Sequence, residues 1–497
     1  MKATHTMKYF TKGMLAILIL TSFTASAQQN LKFKITGLTS KDTVYLAGYY
    51  GKNLMYADTA ITDNKGIAVF NKKKHPGGMY AFVYGGRYFD LLVDVEEVYI
   101  ESSKENLIAD VKVIKSKENI AFYKYIGFIA EKKKVADDLN AKLKAAAGKA
   151  EEEKPLKAQL KAIDEEVKKY QKDLIANNPE LLAAKVLKSS LDVELPEPPK
   201  NADGSLKDSL WAYKFMRAHF FDNIDFCDDR LLRTPFFHPR MENFFKNMVH
   251  PIPDSVSVAA EWLLHKTECG PEFFKYTVTH LTYTYETSKI MCMDAVFVHL
   301  VNIFYRTGRV TWLSKEKLEK VLDRAKKLEP ILCQKEVHNL SLLDTAGTAW
   351  KRLYDVKADY TILIFWDPDC GHCKKEMPKF VELYKKMKSK GVTVYAVSQE
   401  HSAAWKKFIK EQKMEEFINV GVPGDIYKEK GQEKAHEYVR KGFTDYISLN
   451  YRDHFDIYAT PKIFLLDKNK KIIAKYVEAE QMEKILDFHM KQQGKQK

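Results

Sequence analysis

The sequence predicts a multidomain α+β protein. It should carry an N-terminal β-sandwich, a central all-α domain and a C-terminal mixed α/β domain. Three observations carry this. Alternating apolar and polar residues separated by turn signals run from about 30 to 114, a helical period replaces them from about 115, and after 335 strand-like and helix-like stretches alternate. The expected boundaries are 1–27, 28–114, 115–334 and 335–497. A length of 497 residues and 45% apolar composition fit two to four domains with real cores.

Residues 1–27 read as a secretory signal. A basic region reaches Lys12, an apolar core runs from Met14 to Leu20, and Ala25-Ser26-Ala27 fits a cleavage site. The core is too short to span a bilayer, and no later run is apolar enough to do so. The expectation is an exported chain with no transmembrane anchor after cleavage, in a compartment where disulfides form. The formal charge is +14 over 80 basic and 66 acidic residues. Such mixed charge reads as a solvated surface with some preference for acidic partners. It lacks the basic, aromatic-interleaved pattern of nucleic-acid binding.

In the β region, strands are expected at Leu31–Thr36, Thr43–Ala47, Gly66–Phe70, Met79–Tyr84, Phe89–Val95 and Val98–Ile100. Turn signals at Asp63–Gly66, Pro76–Gly78 and Gly85-Gly86 separate them. No catalytic constellation lies in this region. From 115 onward Val135, Leu139 and Leu143 mark one helix. Leu156, Leu160, Ile163, Val167, Tyr170 and Leu174 form a heptad-like stripe on a second, with Gly148 at the turn between them. The stripe is too short for a partner-binding coiled coil to be favoured over a hairpin packed on itself.

Leu195–Gly204 is a loop, and helices are expected around Trp211–Phe221, Val256–Leu264, Pro271–Tyr285, Ile290–Tyr305 and Lys315–Leu328. His219 and His238 flank an aromatic stretch with several aspartates. Their spacing matches no standard metal site, so core and loop packing is expected there and no metal is assigned. Cys227, Cys269, Cys292 and Cys333 allow three full pairings. Inert thiols are favoured over disulfides for them.

The C-terminal region opens with a short hairpin over 339–355. The expected order is then strand Thr361–Trp366, helix His372–Lys388, strand Val392–Ser398, helix Ala403–Glu411 and strand Phe417–Val420. Strands Lys462–Leu466 and Lys471–Val477 follow, with helix Glu480–Met490 last. The apolar run ends in Cys370-Gly371-His372-Cys373 where a helix should begin. Unpaired backbone N–H groups and the helix dipole favour a thiolate at Cys370. Cys373, one turn inside, is placed to close a ring with it. Cys370 is therefore the expected nucleophile and Cys373 the resolving thiol, with His372 between them favouring the thiolate further. A zinc half-site is disfavoured because no second Cys or Cys/His pair exists.

Residues from about 335 to 497 resemble a thioredoxin-fold domain of the TlpA/ResA type, the bacterial envelope branch. The matching residues are Phe365-Trp366, Cys370–Cys373, Lys374–Pro378 and Ala459-Thr460-Pro461-Lys462-Ile463-Phe464. The upstream two-thirds resembles modules attached to such domains in some secreted bacterial proteins, which brings no defined activity. The resemblance implies that Pro461 is cis and faces the sulfurs, presenting the backbone of Thr460 to an incoming strand. It gives Trp366 and Gly371 supporting places. It also matches Glu376 to an acid that exchanges the proton of the resolving thiol; an ordinary first-turn glutamate is the alternative. Pro378 matches a kink in the helix.

Two departures stand out. Ile364 replaces the buried aspartate of cytoplasmic thioredoxins, and Gly-His separates the cysteines. The segment Gly421–Arg452 is longer than the simplest relatives need, and its basic residues read as a solvated face. The expected partners are protein disulfides or dithiols and an envelope electron donor or acceptor. No cofactor is expected beyond the Cys370–Cys373 pair. The rival reading is an envelope binding or scaffold protein whose redox site is vestigial or regulatory.

Overall fold

The computed structural model describes residues 30–399 and 401–495; the expected leader lies outside them. The chain divides into two compact units, the first ending at Leu187 and the second starting at Lys188.

The first unit opens with β1 (Asn30–Thr36), β2 (Thr43–Tyr50), β3 (Asn53–Ile61) and β4 (Ile67–Asn71). It continues with β5 (Gly78–Tyr84), β6 (Arg87–Val93), β7 (Val98–Ser103) and β8 (Lys112–Lys115). They form two four-stranded sheets in the orders β4-β1-β7-β8 and β3-β2-β5-β6. Alternate residues of both sheets, among them Phe33, Leu46, Phe82 and Ile100, share one core, so the pair is a sandwich. Gly66 is required where it stands. Its φ is +72°, and a Cβ there would lie 2.3 Å from the Ile35 carbonyl. The sequence expectation missed β3 and β8. Both are edge strands with mostly exposed residues, so neither shows the buried-exposed alternation that marks the others.

Helices α1 (Lys117–Ala145) and α2 (Ala150–Asn177) form the hairpin, and α3 (Leu182–Ser190) crosses the boundary between the units. The expected boundary at 114/115 marks the change from strand to helix, but α1 stays tied to the sandwich. Asn119 bonds both backbone groups of Leu92, and the Glu118 carboxylate accepts from the amides of Leu182 and Ala183. The α2 stripe lies half-buried along α1, with Tyr170 stacked on Phe128 at 4.2 Å.

The second unit begins with α4 (Trp211–His219), α5 (Phe237–Asn247), α6 (Pro253–Thr267), α7 (Pro271–Glu286), α8 (Asp294–Leu300) and α9 (Lys315–Leu328). The aromatic stretch packs as expected: Phe221, Phe226 and Phe237 are buried with Phe244 and Phe273. His219 is partly exposed and bonded to Asp222.

The expectation of inert thiols here is overturned. Cys227–Cys269 and Cys292–Cys333 are disulfides. The fold brings their Cα atoms to 4.8 and 5.6 Å, within bridging range. For the first bridge the approach depends on Gly270, where a Cβ would sit 2.1 Å from the Phe226 carbonyl. Chain spacing alone shows neither closeness.

The rest of the unit comprises β9 (Ser341–Asp344), β10 (Trp350–Arg352), β11 (Tyr360–Trp366), α10 (Gly371–Met387), β12 (Val392–Ser398), α11 (Ala403–Glu411) and β13 (Ile418–Gly421). Then come α12 (Gly431–Arg440), α13 (Tyr446–Leu449), α14 (Tyr451–His454), β14 (Lys462–Asp467), β15 (Ile472–Lys475) and α15 (Ala479–Lys495). The sheet order is β10-β9-β13-β12-β11-β14-β15. Strand β11 is central and buried at every residue, parallel to β12 and antiparallel to β14. Such an unbroken apolar run is what a strand covered on both faces requires. The basic helix α12 is solvated, with Lys434 and Lys441 both paired to Glu437.

The α6–α9 region is locked to this sheet by buried charge. Lys475 is 2% exposed, pairs with Asp294 and donates to the Ile331 carbonyl at 2.8 Å. Arg324 reaches Asp456 at 2.8 Å, and Asp456 also pairs with buried Lys462 at 3.3 Å.

Candidate active site

Strand β11 delivers the chain to the start of α10, where Cys370 is the N-cap. Cys370 is partly exposed, whereas Cys373 is fully buried among core side chains with Trp366, Ile364 and Met377. Both thiols are free.

The Cys370 thiol donates to the Thr460 carbonyl at 3.1 Å, and the Asp367 amide lies 3.5 Å from the Cys373 sulfur. Burial pushes the Cys370 pKa up. Hydrogen bonding from the Thr460 side chain and from the Cys373 and His372 amides outweighs burial and holds it below the ordinary thiol value. Burial pushes Cys373 the other way, up to about 12. The two sulfurs of one short motif are thus set far apart in acidity. One is poised to ionise and the other is kept protonated.

The remaining expected residues take distinct places. His372 is exposed, and it acts on Cys370 through its backbone amide. Gly371 is exposed, and a Cβ there would meet nothing within 4 Å, so space does not demand glycine. Glu376 pairs with Lys379 through Oε1 at 2.6 Å and leaves Oε2 buried with no hydrogen-bond partner. The Thr460–Pro461 peptide bond is cis. Trp366 is 1% exposed and packs on Phe408, so it belongs to the core under the site rather than to its surface. Pro378 lies inside α10.

A groove of about 380 Å³ runs beside the sulfurs, lined by His372, Glu376, Thr460, Pro461, Tyr458 and Tyr476 among others. Sequence reasoning missed the two tyrosines. Tyr458 is 77% exposed. The Lys462 ammonium lies 4.6 Å from the centroid of each ring. Only the position of Tyr458 immediately before Ala459-Thr460-Pro461 could have drawn attention to it. Tyr476 sits on another strand's exit, and nothing local marks it.

Residues 333–475 match the AhpC/TSA family, and residues 146–328 match a domain of unknown function, DUF5106. The thiol-disulfide oxidoreductase ResA of Bacillus thuringiensis subsp. konkukian is 29% identical over 158 residues, covering 32% of this chain and 76% of that protein. A crystallised domain of a possible thiol-disulfide isomerase from Cytophaga hutchinsonii is 37% identical. It covers 33% of this chain and 97% of that one, with a TM-score of 0.27. A thioredoxin-like protein from Bacteroides caccae is 18% identical over 60% of this chain and 98% of its own, with a TM-score of 0.41.

Proposed function

Residues 333–475 form a thioredoxin-like domain of the AhpC/TSA family, the chain is a thiol–disulfide oxidoreductase, and from that premise we propose that it is exported and exchanges disulfides in envelope proteins through Cys370 and Cys373. The observation that carries the reading is the opposed setting of the two thiols. Cys370 is partly exposed with its pKa lowered, and Cys373 is buried with its pKa pushed up to about 12.

In the reducing direction the Cys370 thiolate attacks one sulfur of a substrate disulfide. A Cys370–substrate bond forms, and the other substrate sulfur leaves as a thiolate that takes a proton from water. Cys373 then loses its proton and attacks the Cys370 sulfur. The mixed disulfide breaks, the second substrate sulfur leaves as a thiol, and Cys370–Cys373 closes. Two electrons pass from the dithiol to the substrate, so a dithiol donor in the envelope must restore the pair.

A thiol held near pKa 12 needs a proton acceptor at that moment. Glu376 is our choice, because its Oε2 is buried without a partner and its side chain lines the same groove. Thr460 and Pro461, with Tyr458 and Tyr476, form the wall along which a substrate segment lies. No cofactor beyond the dithiol enters this scheme, and neither nucleic acid nor a membrane span plays a part in it. Export is supported by the leader pattern and by two disulfides among the described residues, which fit an oxidising compartment.

The test is insulin reduction with dithiothreitol as the electron source. The protein should accelerate it, and Cys370→Ser should bring the rate to background. Equal turnover by the variant would remove Cys370 as nucleophile and leave the scaffold reading in its place.

A further inference from the structure

We propose that His238, Glu242 and His280 form a divalent transition-metal site, of the zinc class, that clasps α5 to α7. His238 and Glu242 are four residues apart on α5, so they lie one above the other on one helix face. Helix α7 places His280 opposite them. One ligand atom from each of the three lies within 4.8 Å of the others. The His238 and His280 rings stand nearly perpendicular, at 85°, with centroids 4.9 Å apart. His280 Nε2 is 2.8 Å from the Glu242 carboxylate.

Two imidazoles and a carboxylate are a donor set for zinc, cobalt and their neighbours, and three protein ligands leave a fourth position for water. Packing holds the set in place. Phe237 and Met241 of α5 and Phe273 and Thr277 of α7 are buried, and the Phe237 and Phe273 rings meet at 4.9 Å.

An independent contact points to a ligand as well. The Tyr276 hydroxyl is 2.9 Å from His238 Nδ1. A metal-binding histidine characteristically has its other nitrogen fixed by such an outer partner, and this one directs coordination to Nε2. Tyr276 also lies parallel to the His280 ring, at an interplanar angle of 2° with the centroids 6.0 Å apart. Zinc–ligand bonds of about 2.0–2.2 Å require the donor set to readjust around the ion. The Glu242 side chain, 56% exposed, has the room to do so. The spacing around His219 and His238 carries no metal signature because the third ligand lies on a different helix.

The alternative is a plain His280–Glu242 ion pair with His238 nearby by chance. The discriminating experiment is a cobalt(II) titration of the purified full chain, free of affinity tags and oxidised at Cys370–Cys373 so that no thiol competes. One cobalt per chain should bind, with visible bands of a four- or five-coordinate centre that zinc displaces. His280→Gln and Glu242→Gln should each weaken binding at least tenfold, and Tyr276→Phe by about 10–100-fold through loss of the outer partner. Zinc should raise the melting temperature of the parent protein but not of Glu242→Gln, a surface change that keeps the fold. Absence of any cobalt spectrum at millimolar metal would overturn the site. So would undiminished binding by His280→Gln and Glu242→Gln.

Discussion

The helical region and the start of α10 treat sulfur in opposite ways. Cys227 and Cys269 are exposed yet bridged, while Cys373 is fully buried yet free. Exposure therefore does not separate the inert sulfurs from the reactive ones. The bridges join residues distant in sequence and staple the turns between helices. Cys370 and Cys373 lie one turn apart, with a helix N-terminus and the Thr460 contacts acting on one sulfur and burial on the other. Reactivity here is a property of that asymmetry, not of accessible thiol.

The two regions meet through charge, and breaking that contact should have the largest effect on stability. Asp456 holds Lys462, which directly follows Pro461, and Arg324 of α9. Asp456→Ala leaves both cations without their carboxylate. It should lower stability by about 3–5 kcal/mol, as removal of one partner of a buried pair does. Glu437→Ala, in the solvated face of α12, should change denaturation midpoints negligibly. Chemical denaturation of both variants checks the contrast.

Next in size is the second bridge. Cys292 and Cys333 each lie two residues from a Lys475 partner, Asp294 and Ile331 respectively. Replacing both cysteines with serine should lower stability by about 2–4 kcal/mol, the usual contribution of a bridge closing a loop of this length. Insulin reduction by the folded protein should persist. Loss of activity in folded protein would show that the bridge takes part in the chemistry and that the contrast between the regions is false.

The smallest effect sharpens the role of His372. Its influence on Cys370 runs through the backbone amide, so His372→Ala should leave the thiol acidity nearly intact. His372→Pro removes that N–H and should raise the Cys370 pKa. A tenfold change in the exchange equilibrium corresponds to about 30 mV, toward a more negative potential. Iodoacetamide alkylation against pH reads the acidity directly. The rate should rise with pH and level off below the ordinary thiol range of about 8.5 in the parent. It should level off at higher pH in His372→Pro. Cys373 should stay unmodified until the solution approaches its value of about 12.

Much of this was legible beforehand, for identifiable reasons. Strand β11 is an unbroken apolar run leading into the cysteine motif, β12 is a nearly continuous buried run and α11 carries a helical period, so the sheet and the Cys370 N-cap could be placed from pattern alone. The edge strand β3 could not, because solvent on both sides leaves no alternation. The four cysteines in the turns of the helical region could not be paired, because their closeness is made by packing such as that at Gly270. The sharing of Asp456 between Arg324 and Lys462 is likewise invisible, since a turn, a strand and a helix distant from both in sequence supply its members. Trp366, expected in a supporting place, adjoins the motif in sequence and lies in the core beneath it in space.

The central claim is that Cys370 attacks and Cys373 resolves. The most direct measurement is mass spectrometry of Cys373→Ser after reaction with a peptide disulfide, followed by proteolytic mapping. The account predicts one peptide adduct per chain, held at Cys370, released by dithiothreitol, and absent from the Cys370→Ser, Cys373→Ser double variant. An adduct mapped to Cys227, Cys269, Cys292 or Cys333, or none at Cys370 under conditions where free thiols react, would contradict it.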